Sequence, residues 1–120
     1  MDITPLVAAD RPLIQAYGDG AFRILGQQHA GSLILLPNGV HRWSGDLSAE
    51  GLAPVLAVSE TVEMLLIGCG PSMTLVSPDL RQTLREHGIV SEPMDTGAAC
   101  RTWNVLLTED RRVAAALVAV

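Results

Sequence analysis

Two stretches of this chain have almost no polar face. Val62 to Gly68 (VEMLLIG) and Val113 to Val120 (VAAALVAV) are nearly continuous apolar runs. A strand sends successive side chains to opposite faces, so a run that is apolar throughout has to be covered on both. Both runs are therefore expected as interior strands of one sheet, with a layer packed on each side. The alanines of the second run would let those covering layers approach closely.

The remaining elements fit around these two strands. From Leu13 to Trp43 the pattern is β, with runs at Leu13 to Tyr17, Ala21 to Leu25, Ser32 to Leu36 and Val40 to Trp43. They are split by Gly18-Asp19-Gly20, Gly26 to Gly31 and Pro37-Asn38-Gly39, and Asn38-Gly39 is a hairpin signal. The period then becomes helical. Ser48 can cap a segment with Leu47 and Leu52 as a staple, although Pro54 predicts a short or late helix. Ser77-Pro78 opens the clearest helix, Asp79 suits its positive start, and Gly88 ends it. Leu80, Leu84 and His87 are read as one face. Ile89 to Met94 is a weaker strand, and Pro93 points to an edge position or an early end. Asp95 or Thr96 caps a third helix with the stripe Ala99, Trp103 and Leu106, flanked by Cys100 and Leu107. Trp103 is its expected anchor to the sheet. The fold class is α/β: a three-layer arrangement around a mixed β-sheet, N-terminal β-hairpins followed by α-β-α-β-α-β. Residues 1–12, with Pro5 and Pro12, read as a loose leader before a single domain at 13–120.

Composition narrows the function. At 120 residues the chain can bury roughly two-thirds of its unfolded surface without metals or staples. Net charge is −5, with eight arginines, no lysine and no basic run, which argues against nucleic acid as a partner. No apolar run reaches the length of a membrane span, and the N-terminus lacks the pattern of a secretory signal, so a cytoplasmic protein is expected. Two cysteines without zinc-type spacing predict neither a disulfide framework nor a metal site.

Candidate chemistry gathers at two places. The Gly68-Cys69-Gly70 turn follows a buried strand, where α/β proteins place binding loops, but Met73 and Pro71-Ser72 break any dinucleotide fingerprint. The segment Asp95-Thr96 to Arg101 joins a helix start to a cation, an arrangement that attracts anions; Asp95 would instead serve as a simple cap. If Val62–Ile67 and Ile89–Met94 run parallel, both places emerge at one sheet end. Gly68, Cys69, Gly70, Asp95, Thr96 and Arg101 are then expected to face a common cleft. Cys100 reads as a reactive thiol at a helix start or as a small buried core residue. His29, His41 and His87 show no ligand spacing, no serine sits in a nucleophile elbow, and no catalytic set or cofactor motif is visible, so the sequence leans away from an enzyme.

From Tyr17 to the C-terminus the chain resembles a family that includes mitochondrial complex I (NADH:ubiquinone oxidoreductase) assembly factor 3, the adipogenesis-associated protein, and small uncharacterised bacterial and archaeal proteins. Gly88-Ile89, Glu92, Asp95-Thr96, Ala99-Cys100, Thr102, Asn104, Leu106, Glu109, Arg111 and Ala115-Ala116-Leu117 carry the resemblance. Phe22-Arg23-Ile24, Gly31-Ser32, the Pro37 turn, Trp43 and Gly68-x-Gly70 extend it upstream. The family's Gly-Thr-Gly turn is Gly-Cys-Gly here, and the aromatic after its helical threonine is Trp103. The resemblance implies a three-layer α/β fold, no established reaction or cofactor, and a non-enzymatic interaction or assembly role toward respiratory complex I. The alternative is a small-molecule or anion-binding domain, or an enzyme, using the cleft named above.

Overall fold

In a computed structural model, residues 11–37 and 39–120 are described. Two sheets and three α-helices follow from the patterns above. The first sheet is an antiparallel meander of β1 (Ile14–Gly18), β2 (Ala21–Ile24) and β3 (Gln27–Ala30). The second contains β4 (Leu33–Leu36), β5 (Gly39–Arg42), β6 (Met64–Gly68), β7 (Val90–Met94) and β8 (Val113–Leu117), in the order β5-β4-β8-β6-β7. It is mixed: β8 runs parallel to β6 and antiparallel to β4, and β7 runs parallel to β6.

The two apolar runs are the inner strands β6 and β8. Alternation along them divides the core. Ile34, Leu36, Leu65, Ile67, Ala114 and Ala116 face α1 (Ala53–Leu56) and α2 (Pro78–Glu86), joined by Trp43, Leu52, Leu80 and Leu84. Leu33, Leu35, Leu66, Val113, Ala115 and Leu117 face α3 (Thr96–Thr108) and the meander, joined by Phe22, Ile24, Ala99 and Trp103. The result is three layers, with the five-stranded sheet in the middle. Regular pairing of β8 stops at Leu117, so Val118 to Val120, expected as the end of this strand, lie beyond it and are partly exposed.

Local signals account for the helices. Ser77 accepts a hydrogen bond from Leu80 N–H at 3.2 Å, and proline occupies the first turn, where no N–H is needed. Gly88 takes φ +76°. Gly88 N–H bonds Arg85 O and Ile89 N–H bonds Leu84 O, closing the helix in a Schellman motif. His87 is exposed rather than part of the buried face, with Nδ1 2.8 Å from Thr83 O. Asp110 takes the left-handed position after α3, which aspartate tolerates better than most residues. The helix after Ser48 starts late, as Pro54 predicts. Ser48 Oγ accepts from Gly51 N–H in a turn, and α1 begins only at Ala53.

The N-terminal half differs in detail. β3 falls inside the stretch read as a separator, because Gln27–Ala30 is polar and mostly exposed and so has no apolar alternation. Its signal is the turn before it: Leu25 and Gly26 both have positive φ (51° and 76°), the geometry of a tight hairpin, and Asp19-Gly20 repeats it between β1 and β2. In the β4–β5 hairpin Gly39 pairs with Leu36, so it belongs to the ladder rather than to the turn; Asn38 lies outside the described residues. Most of the leader read at 1–12 also lies outside them. Its last two residues are docked: Pro12 is buried, and Arg11 pairs with Asp110.

Candidate functional site

The parallel β6–β7 pairing sets Gly68 opposite Met94, so the Gly68–Gly70 turn and the start of α3 leave the sheet side by side. They are in direct contact. Cys69 N–H donates to Met94 O (2.8 Å), and Thr96 N–H donates to Gly70 O (2.9 Å). Gly70 N–H donates to Thr96 Oγ1 (2.9 Å), whose hydroxyl donates in turn to Val118 O (2.7 Å). Thr96 is fully buried, and its one hydroxyl ties three chain segments together. Gly68 is required by the fit: a Cβ there would lie 3.0 Å from both Thr96 Cα and Leu117 Cδ2. The interval between the two motifs is therefore filled by their mutual hydrogen bonds.

The start of α3 is also largely occupied. Asp95 is the cap, accepting from Ala98 N–H at 2.8 Å, while its carbonyl accepts from Ala99 N–H. Thr96 N–H is taken by Gly70, which removes most of the donors an anion would need. Arg101 is exposed and turns instead to Tyr17, donating from Nη1 to the phenol oxygen at 3.1 Å. A Cβ on Gly97 would lie 2.7 Å from that oxygen, so glycine makes room for the tyrosine. Tyr17 and Val118 complete the cluster. No local signal marks either, since each meets α3 across a long sequence separation.

The two cysteines differ. Cys69 is half-buried, with Sγ 3.6 Å from Ile67 O and 3.7 Å from Thr74 O. Cys100 is buried against the sheet, and burial pushes its thiol up to about 12, opposed by neighbouring Arg101 and aided by Asp95. A thiol held protonated is a poor nucleophile, so the structure favours the core reading of Cys100. A thiol-reactive chromophore at neutral pH should therefore label Cys69 first and reach Cys100 only on unfolding. Equal labelling rates in the native protein would contradict this burial.

Elsewhere, among the described residues, no three His, Cys, Asp or Glu side chains gather as metal ligands. A cavity of about 440 Å³ lies at the opposite end of the sheet, lined by Arg11, Leu36, Pro37, Val58, Thr61 and Asp110 to Arg112. Beside it Arg111 Nε donates to Glu63 at 3.0 Å and holds that carboxyl below its ordinary range. Trp43 buries its indole N–H without a hydrogen-bond partner among the described residues.

Comparison with known proteins places this geometry. An uncharacterised protein of Rhodobacter capsulatus is 39% identical over 105 residues, covering 88% of this chain and 82% of its own. NADH dehydrogenase (ubiquinone) 1 alpha subcomplex assembly factor 3 of Xenopus tropicalis is 30% identical over 92% of this chain. The chain spans only 63% of that relative's length. A crystal structure described as an outer membrane protein from Bartonella henselae superposes with a TM-score of 0.88 at 43% identity, covering 93% of this chain and 98% of the other. A solution structure from Bordetella pertussis, described as an Mth938-like domain, gives 0.83 at 28% identity, with 98% and 92% covered. A family model described as a protein of unknown function, DUF498/DUF598, matches residues 14–118, and the chain belongs to that family.

Proposed function

We propose that this protein is a non-enzymatic interaction domain of the cytoplasm that supports assembly of a respiratory NADH:ubiquinone oxidoreductase. The observation that carries the reading is the match, over 92% of the chain, to relatives named as assembly factors for that enzyme. The chemistry of the strand-end cluster agrees with it. Its hydroxyl, its capping carboxylate and most of its helix-start donors are spent on holding the fold, and Cys100 is held protonated. Such a molecule acts by presenting a surface.

The test is deletion of the gene in its host, followed by native gel analysis of assembled NADH:ubiquinone oxidoreductase and affinity capture with the intact chain. Loss of assembled complex, restored by the wild-type gene, together with capture of its subunits, is the expected result. Normal complex levels and no captured subunit would sink the proposal.

A further inference from the structure

Among the described residues the two sheets have four outer edges, and they are treated differently. On β7, Val90 N–H bonds Glu63 O, so alternate residues 90, 92 and 94 face β6. The nitrogen of Pro93 then faces outward, where it offers no N–H to a further strand. On β1, both main-chain groups of Ile14 are taken by the Asn104 side chain, each at 2.8 Å. The remaining edges, β5 and β3, carry no such device among the described residues. Trp43 N–H bonds Ser32 O beyond the β4–β5 ladder, so Gly39 and His41 face β4 while Val40 and Arg42 turn their main-chain groups outward. On β3 the hairpin register and the Gly31 N–H bond to Gly20 O turn Gln28 and Ala30 outward in the same way. None of these four N–H groups has a partner among the described residues.

The two open edges also lie together. Two grooves of about 210 and 150 Å³ run between them and share His29 and Val40. Gln27, Gln28 and His29 form one wall, and Gly39, Val40 and Arg42 the other. Among the described residues no carboxylate lines either groove, although the chain as a whole carries −5.

We propose that β5 is a docking edge: an extended, acidic segment of another protein adds to it as a sixth strand, with β3 as its outer wall. Main-chain bonds to Val40 and Arg42 supply the attachment, and the Arg42 guanidinium selects for acidic side chains. A second copy of this chain is disfavoured as occupant, because it would bring its own Arg42 to the same edge. The inference rests on the reading of the protein as an interaction domain and names the surface it uses.

The test titrates an acetylated peptide of alternating glutamate and valine, about six residues long, into the ¹⁵N-labelled intact chain. The expected result is amide shifts confined to residues 27–30 and 39–43, with slowed exchange at Val40 and Arg42. Arg42→Pro removes an outward N–H without breaking the β4–β5 ladder, and Arg42→Glu reverses the charge. Each should weaken binding by about tenfold or more with the melting temperature held. A peptide with lysine for glutamate should not bind. Shifts centred on β7 or on the 440 Å³ cavity, unchanged binding by Arg42→Pro, or a peptide-free dimer built on β5 would each overturn the proposal. Respiratory subunits still captured by Arg42→Pro would overturn the edge and leave the assembly reading intact. Peptide bound at β5 with no effect of gene deletion would do the reverse.

Discussion

Replacing Trp103 by alanine is expected to lower the unfolding free energy by about 3–5 kcal/mol, a large part of the roughly 5–15 kcal/mol a domain of this kind has in total. The indole is fully buried between α3, the meander and the five-stranded sheet, and its N–H donates to Pro12 O at 2.9 Å. Alanine would lose the packing of all three contacts and leave a buried carbonyl without its donor. Trp103→Phe keeps most of the ring volume and should cost much less, separating packing from the hydrogen bond. Denaturant midpoints measured for both variants decide the matter. An unmoved midpoint for the alanine variant would mean that the residue is not the anchor.

Thr96→Val is the second large effect, although it changes the side chain's volume very little. Valine keeps the shape of threonine but supplies no hydroxyl. Gly70 N–H and Val118 O would then lose their shared partner at a fully buried position. An unsatisfied buried group costs about 1–3 kcal/mol, and Gly70 N–H is one, with the partly exposed Val118 carbonyl adding less, so this is a severe substitution. Thr96→Ser retains the hydroxyl and loses one methyl, worth about 0.8 kcal/mol. Thermal melts should therefore rank serine well above valine. The opposite ranking would show that the methyl, rather than the hydroxyl, matters at this site.

The elements that could be read from sequence are those whose causes are local. Ser77, Pro78 and Gly88 bracket α2 within one short stretch, and each plays the part its chemistry predicts. The strands β6 and β8 were legible because an all-apolar run has only one place to go. β3 was not, since Gln27–Ala30 owes its extended state to the positive-φ pair Leu25-Gly26 and to its partner β2 rather than to its own side chains. The candidate site divides in the same way. Parallel pairing of β6 with β7 brings residues 68–70 and 95–101 to one end of the sheet, a consequence of topology that the strand and helix pattern carries. Whether the two would stand apart or bond to each other depended on Gly68, Thr96 and Val118 meeting across the fold. No spacing along the chain encodes that contact.

The place of β8 at the centre of the sheet bears on how the protein is made. Residues up to Arg112 can build two fragments, the β4–β5 hairpin and the β6-α2-β7 unit, and neither bonds to the other directly. Both wait for the same late strand, which pairs with β4 on one side and β6 on the other. On the ribosome the sheet therefore stays in two halves, each with an apolar inner edge open, until the Val113–Leu117 segment has emerged. Joining them requires long-range loop closure, which is slow and leaves such edges exposed to wrong partners. Newly made chains should accordingly depend on chaperones most during this interval, and nascent chains arrested before Val113 should be far more sensitive to protease than those released beyond Leu117.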